Sequence, residues 1–170
     1  MSEFNPYQPP ASDVRVTEND DGNGVRLAGR GQRFAASFID GLIGLAFSVP
    51  VMMLLGLFKY YKSQQQPPLM LVFVSAAIGF AIFSAVHYLP LSRNGQTIGK
   101  KLIGIRIADL AQGKPDVGSI LIKRYLPVSF VQLIPGVGPI FSLVDIMFIF
   151  RRDRRCVHDL IAGTQVVQCD

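Results

Sequence analysis

Five residues could carry chemistry where the surrounding sequence gives least reason for charge. Asp40 lies inside the apolar block 34–58, and Arg33 stands seven residues before it. A charged side chain at mid-bilayer costs about 2.5–3.5 kcal/mol on insertion scales, so it is kept for a partner, a water-filled cavity or a function. Seven residues of helix put Arg33 and Asp40 on one face, about 10 Å apart along the axis. His87 ends a second apolar block, 69–91, and Asp145 lies near the end of a third, 126–150. Arg33, Asp40, His87 and Asp145 can therefore meet on one membrane side, with Asp159 in the polar segment beyond. Such a set supports two readings: a protonatable site for an ion or solute, or a clasp in which Asp40 is satisfied by Arg33 or a facing hydroxyl.

The elements that must position these groups follow from composition. The chain has 170 residues, 49% hydrophobic and only 17% charged, with a mean hydropathy of +0.34. Each of the three apolar blocks has the length of about 20 residues that a bilayer core demands, and a soluble chain this short cannot bury three of them. Residues 1–25 carry five acids against one base, net −4, and the remainder sixteen bases against seven acids, net +9. That segment has no apolar core of a secretory signal, and its low hydrophobicity predicts a disordered acidic tail. The rest, 26–170, forms one membrane domain: membrane elements at about 32–58, 69–91 and 126–150, a cytoplasmic connection at 92–125, and a basic C-terminal segment at 151–170.

Lysine and arginine placement predicts topology, because cations stay on the cytoplasmic side. Only Lys59 and Lys62 fall between the first two blocks; if the third block returns to the side it left, the other fifteen cations share the cytoplasmic side. The string Ile134-Pro135-Gly136-Val137-Gly138-Pro139 interrupts that block at its centre. Two prolines remove helix donors and two glycines permit a reversal. A broken or re-entrant third element is therefore expected, with a kinked single span as the alternative. Within the connection, 103–108 alternates as a strand and 117–125 as an amphipathic helix. The β-branched run 164–168 needs a pairing partner, and 103–108 can provide one in either register. The expected fold is an all-α membrane protein, a small bundle of two spans plus the broken third element, with a small cytoplasmic two-stranded β element.

Other motifs are weaker. Gly95-x-x-x-Gly99-Lys100-Lys101 has the wrong spacing for a phosphate loop and lacks its Ser or Thr, so no nucleotide cofactor is expected. Cys156-Val157-His158 has too few ligands for a metal. His158-Asp159 matches a helix start, where Asp caps or balances the dipole. Lys100, Lys101, Arg151, Arg152, Arg154 and Arg155 are expected to meet anionic lipid headgroups, at about 1 kcal/mol per residue near the surface, and not nucleic acid.

Three strings, in order, resemble the signatures of the RDD family of small bacterial membrane proteins. They are Arg33-Phe34-Ala35-Ala36-Ser37-Phe38-Ile39-Asp40, the run from Gly95 through Gln96-Thr97-Ile98-Gly99-Lys100-Lys101 to Arg106, and His158-Asp159-Leu160-Ile161-Ala162-Gly163-Thr164 with its β-branched continuation. The resemblance implies an arginine and two aspartates as hallmark residues: Arg33, Asp40, and either Asp145 or Asp159. It also implies a bacterial membrane location, expected to be the inner membrane; the apolar blocks and the cation placement predict a multi-pass chain with the N-terminus cytoplasmic. Within that family, cation/proton antiport is one implied role and accessory partnership with membrane machinery another. Two functions are accordingly expected: ion-coupled transport, with Asp40 carrying the ion in a homo-oligomer, or a non-catalytic adaptor that binds a membrane protein through its cytoplasmic face. No convergent nucleophile or acid–base pair suggests an enzyme.

Overall fold

The computed structural model describes residues 26–111 and 113–169; the expected acidic tail at 1–25 lies outside the described residues. Two long helices dominate. Helix α1, Arg30–Leu54, has 25 residues and α3, Leu69–Asn94, has 26, which at 1.5 Å per residue gives roughly 37–39 Å, enough to cross a bilayer core. None of the most apolar stretch of either is buried within the protein. Phe34, Phe38, Leu42, Leu45, Leu69 and Phe73 all face outward, an apolar surface that lipid, and not water, accommodates. A short helix α2, Phe58–Ser63, lies in the connection between them.

The hydrophobic core sits at the opposite end from that connection, between the helix ends and a polar layer. Strand β1, Ile105–Asp109, pairs antiparallel with β2, Thr164–Gln168, in the register Ile105↔Gln168 to Asp109↔Thr164. The segment just before α1 joins this sheet through Leu27↔Val167 and an Ala28 N–H to the Val166 carbonyl at 3.0 Å. Ile105 and Val166 pack on Ala28 and Ala36, while Ile107 packs on Leu91 and Ile120. The sheet is thus glued to the ends of α1 and α3. Strand pairing between 103–108 and 164–168 is realised with one shift: Ile103 closes helix α4, Ile98–Ile103, and the strand starts at Ile105 because Gly104, at φ 74°, turns the chain between them.

The third apolar block is broken where the prolines and glycines predict. Helix α5, Val117–Ser119, runs through a widened π-helical stretch, Ile120–Tyr125, into α6, Leu126–Gln132; after a turn, α7 covers Val137–Met147 and ends in a tight 3-10 turn, Phe148–Phe150. A regular amphipathic helix over 117–125 is therefore corrected to a short α turn plus a π stretch. Gly136 takes φ 80°, which L side chains avoid. A Cβ at Gly138 would lie 2.9 Å from the Gln132 carbonyl, so α6 and α7 touch backbone to backbone, and Gln132 Nε2 donates to Ser142 Oγ at 2.8 Å. Arg124 before α6 and Asp145 near the end of α7 both reach His158, so the two ends of the block meet.

Candidate functional site

The polar residues singled out by the sequence form two separate centres. The first surrounds Asp40. Its Oδ2 accepts from Thr97 Oγ1 at 2.5 Å, its Oδ1 accepts from the Gly99 N–H at 2.7 Å, and His87 Nε2 lies 3.3 Å from Oδ1. Lys100 Nζ completes the set at 3.9 Å, and the Asp40 side chain is only 13% exposed. Local sequence builds this socket. Thr97 caps α4, accepting from the Lys100 N–H, and α4 stands with its first turn against α1. That approach requires glycine: a Cβ at Gly99 would lie 2.2 Å from the Ala36 carbonyl and 2.9 Å from the Asp40 carboxylate. His87 is itself fixed, with Nδ1 3.0 Å from the Phe83 carbonyl and its ring stacked on Phe83 at 4.5 Å between centroids. Both ring nitrogens face acceptors, so the ring satisfies both only when it carries two protons.

The second centre surrounds Asp159, which is fully buried. Arg33 donates to its Oδ2, Arg124 Nη1 lies 2.5 Å from Oδ1, and the Cys156 N–H donates to Oδ2 at 3.1 Å. The two guanidiniums make further contacts: Arg33 donates to the Arg154 carbonyl, and Arg124 to Thr164 Oγ1 at 2.8 Å and His158 Nε2 at 3.2 Å. Arg124 Nε is buried without a hydrogen-bond partner among the described residues. Burial opposes the charge on Asp159, but Arg124 and then Arg33 overcome it and hold the carboxyl far below the usual carboxylate range.

His158 links this centre to the third block. Its Nδ1 lies 2.7 Å from Asp145 Oδ2, and its backbone N–H donates to Asp145 Oδ1 at 3.1 Å. Since Nε2 must accept from Arg124, the proton resides on Nδ1 and is donated to Asp145. Burial first, and the Arg124 charge second, push the His158 pKa down. Ligand atoms of Asp145, Cys156 and His158 lie within 4.8 Å of one another, close enough to bracket a metal ion. However, both imidazole nitrogens are engaged, and burial holds the Cys156 thiol protonated by raising its pKa to about 11. As arranged, these groups form a hydrogen-bonded chain.

Arg33 and Asp40 do not pair. Their separation along α1 leaves the guanidinium reaching out of the helix end to Asp159 while the carboxylate meets α4. The proposed cluster of Arg33, Asp40, His87 and Asp145 is corrected accordingly: Asp40 keeps His87, and Arg33 joins Asp159 and the chain to Asp145. Two assignments to lipid headgroups are also corrected. Lys100 is buried beside Asp40, because it follows Gly99 on the face of α4 that meets α1, and Arg154, at φ 50°, is 6% exposed. Arg155 is tied to the Thr164 carbonyl at 3.0 Å, whereas Lys101, Arg151 and Arg152 are exposed. Sequence reasoning missed Thr97 as a ligand to Asp40, and Arg124 altogether. A helix-capping threonine two residues before a glycine was the available signal for the first; for the second, a basic residue inside an apolar helical stretch.

The RDD family profile matches residues 27–163. The chain is 33% identical over 149 residues to the uncharacterized protein YckC of Bacillus subtilis (strain 168), covering 85% of this chain and 86% of that one. No solved structure matches it. With its two apolar helices of membrane-span length and its capped Asp40 socket, the chain belongs to the RDD family of membrane proteins.

Proposed function

We propose that this protein is a non-catalytic membrane adaptor, in which the polar hallmark residues fasten a basic cytoplasmic layer to the membrane helices. The single observation that carries this reading is the state of Asp40: a carboxylate 13% exposed, with a hydroxyl, a backbone N–H, an imidazole and an ammonium around it. A transport carboxylate must exchange partners with its ion during turnover, whereas this one is held by α4 itself. In this reading α1 and α3 cross the bacterial inner membrane, the α6–α7 hairpin re-enters it, and the N-terminus, sheet and basic segments face the cytoplasm, as the cation distribution supports. The working surface is the outer face of the layer 92–125 and 151–168, and its partner a membrane protein or a second copy of the chain. Under this reading Asp40→Asn lowers the melting temperature in detergent, and in-cell crosslinking from exposed Lys101 recovers a discrete partner. A variant that melts like the wild type would remove the fastening role.

One pair of observations favours ion-coupled transport as the second reading. Asp40 faces His87, a ring whose geometry accommodates two protons. His87 also lines a cavity of about 270 Å³ between α1 and α3, walled by Gly44, Ser48, Ser75 and Gly79. There, protons would pass between His87 and Asp40, and Asp40→Asn would abolish cation-dependent proton flux in proteoliposomes while sparing the fold.

A further inference from the structure

The two buried centres set every cation they contain beside a carboxylate. One cleft on the cytoplasmic layer does the opposite. It holds about 480 Å³ and is lined by Arg93, Lys101, Arg106 and Lys114, with Asn94, Gln96, Gly104 and Cys169 between them. The four cations come from four places: the last turn of α3, α4, β1 and the connection after β1. Among the described residues no carboxylate lines the cleft and no ion pair reaches any of the four.

The cleft is built, and its walls are pinned. Gln96 is buried, and its Nε2 donates to the Ile105 carbonyl at 3.0 Å and reaches Cys169 Sγ at 3.2 Å. The Cys169 N–H donates to the Gly104 carbonyl at 2.9 Å, and Lys114 Nζ to the Ser92 carbonyl at 2.5 Å. Gly95, at φ 66°, brings the end of α3 so near β1 that a Cβ would lie 2.8 Å from the Ile107 carbonyl. Arg106 alternates with Ile105 and Ile107, which are buried toward the helices, so it belongs to the face turned away from them. Four like charges held together repel unless a counter-anion is present. Among the described residues no aliphatic or aromatic side chain lines the cleft. What it can recognise is charge and oxygen geometry, and two guanidiniums with two ammoniums match phosphate oxygens.

We infer that this cleft is a binding site for a phosphate-bearing anion, supplied either as a soluble phosphate compound or as the headgroup of an anionic lipid at the end of α3. The site is independent of the role of Asp40.

Cys169 makes the test direct. It is exposed and lines the cleft, whereas Cys156 is buried and serves as the internal control. The full-length protein is placed in phosphatidylcholine nanodiscs, and the rate of Cys169 modification by an uncharged maleimide is followed at constant ionic strength. Inorganic pyrophosphate at about ten times its Kd slows labelling roughly tenfold if it occupies the cleft. Nanodiscs containing phosphatidylglycerol slow it without added anion if the lipid is the source. Either protection supports the site, provided that it disappears in Lys101→Gln/Arg106→Gln. Should the strand substitution at Arg106 impair folding, Arg93→Gln/Lys114→Gln changes only exposed positions and must abolish the protection instead. Labelling indifferent to both anions overturns the inference, as does protection that survives in a folded charge variant. Slow labelling that is relieved only by deleting residues 1–25 would also overturn it, assigning the cleft to the chain's own acidic segment.

Discussion

Asp159 and Asp40 both leave water in this molecule, and they are compensated by different means. Asp159 is fully buried and balanced by charge, with two guanidiniums arriving from α1 and from the stretch before α6. Asp40 is slightly exposed and balanced mainly by hydrogen bonds from the first turn of α4, with His87 and Lys100 behind them. The first arrangement ties together three distant parts of the chain, and removing its centre leaves two like charges buried. The second closes one helix onto another, and its centre can be replaced by a neutral acceptor of similar shape. Asp159 is therefore the keystone of the polar layer, and Asp40 the fastening that sets the layer against α1.

Breaking the two centres in parallel sharpens this contrast. Asp159→Asn should cost the most, about 3–5 kcal/mol, because it leaves Arg33 and Arg124 without their counter-charge; thermal melting in detergent would show a large fall or loss of folded protein. Gly99→Ala should follow at about 1–3 kcal/mol, since its Cβ forces α4 off α1, and a melt accompanied by increased proteolysis within 92–104 would report it. Asp40→Asn should cost less than Asp159→Asn, about 1–2 kcal/mol, because an amide oxygen still accepts from Thr97 or Gly99. A larger loss at Asp40 than at Asp159 would reverse the ranking of the two centres.

A pH dependence reports on the Asp159 centre and on His158 beside it. The His158 pKa is depressed in the folded state by burial and by Arg124, so the unfolded chain binds the proton more readily. The stabilisation is complete above the ordinary imidazole range, near about 6.5, and is lost as pH falls through it toward the folded value. Melting temperature should therefore decline on acidification from neutral, and His158→Gln should flatten that decline by removing the titrating group. Asp159 acts in a lower window: its depressed pKa keeps its contribution intact until pH falls below the ordinary carboxylate range. The smallest effect belongs to the exposed pair Arg151–Asp153, 3.3 Å apart; Arg151→Gln should shift stability by no more than about 0.5 kcal/mol, as equilibrium unfolding would show.

Much of the fold was legible because its signals are local. The lengths of α1 and α3 follow from apolar runs, the break before α7 from Pro135-Gly136, and the strands from β-branched alternation near Ile105 and Val166. The antiparallel register was not, since pairing direction depends on how the intervening helices return. The site was legible by residue type and misassigned by partner. Arg33 and Asp40 share a helix face in sequence, yet Arg33 binds a carboxylate 126 positions away, a contact that no periodicity encodes. Lys100 carries the composition of a headgroup contact, and its burial follows only once Gly99 is known to touch α1. Arg124 was hidden because it directly follows Lys123, and basic residues inside a helical pattern ordinarily mark a solvated face.

The most direct test of the central claim is cation-dependent proton flux across proteoliposomes containing equal amounts of folded wild type and Asp40→Asn. If Asp40 is a fastening, the wild type shows no flux above empty vesicles, and the variant is indistinguishable from it. Flux that the wild type supports and a folded Asp40→Asn lacks would contradict the account and make Asp40 the carrier.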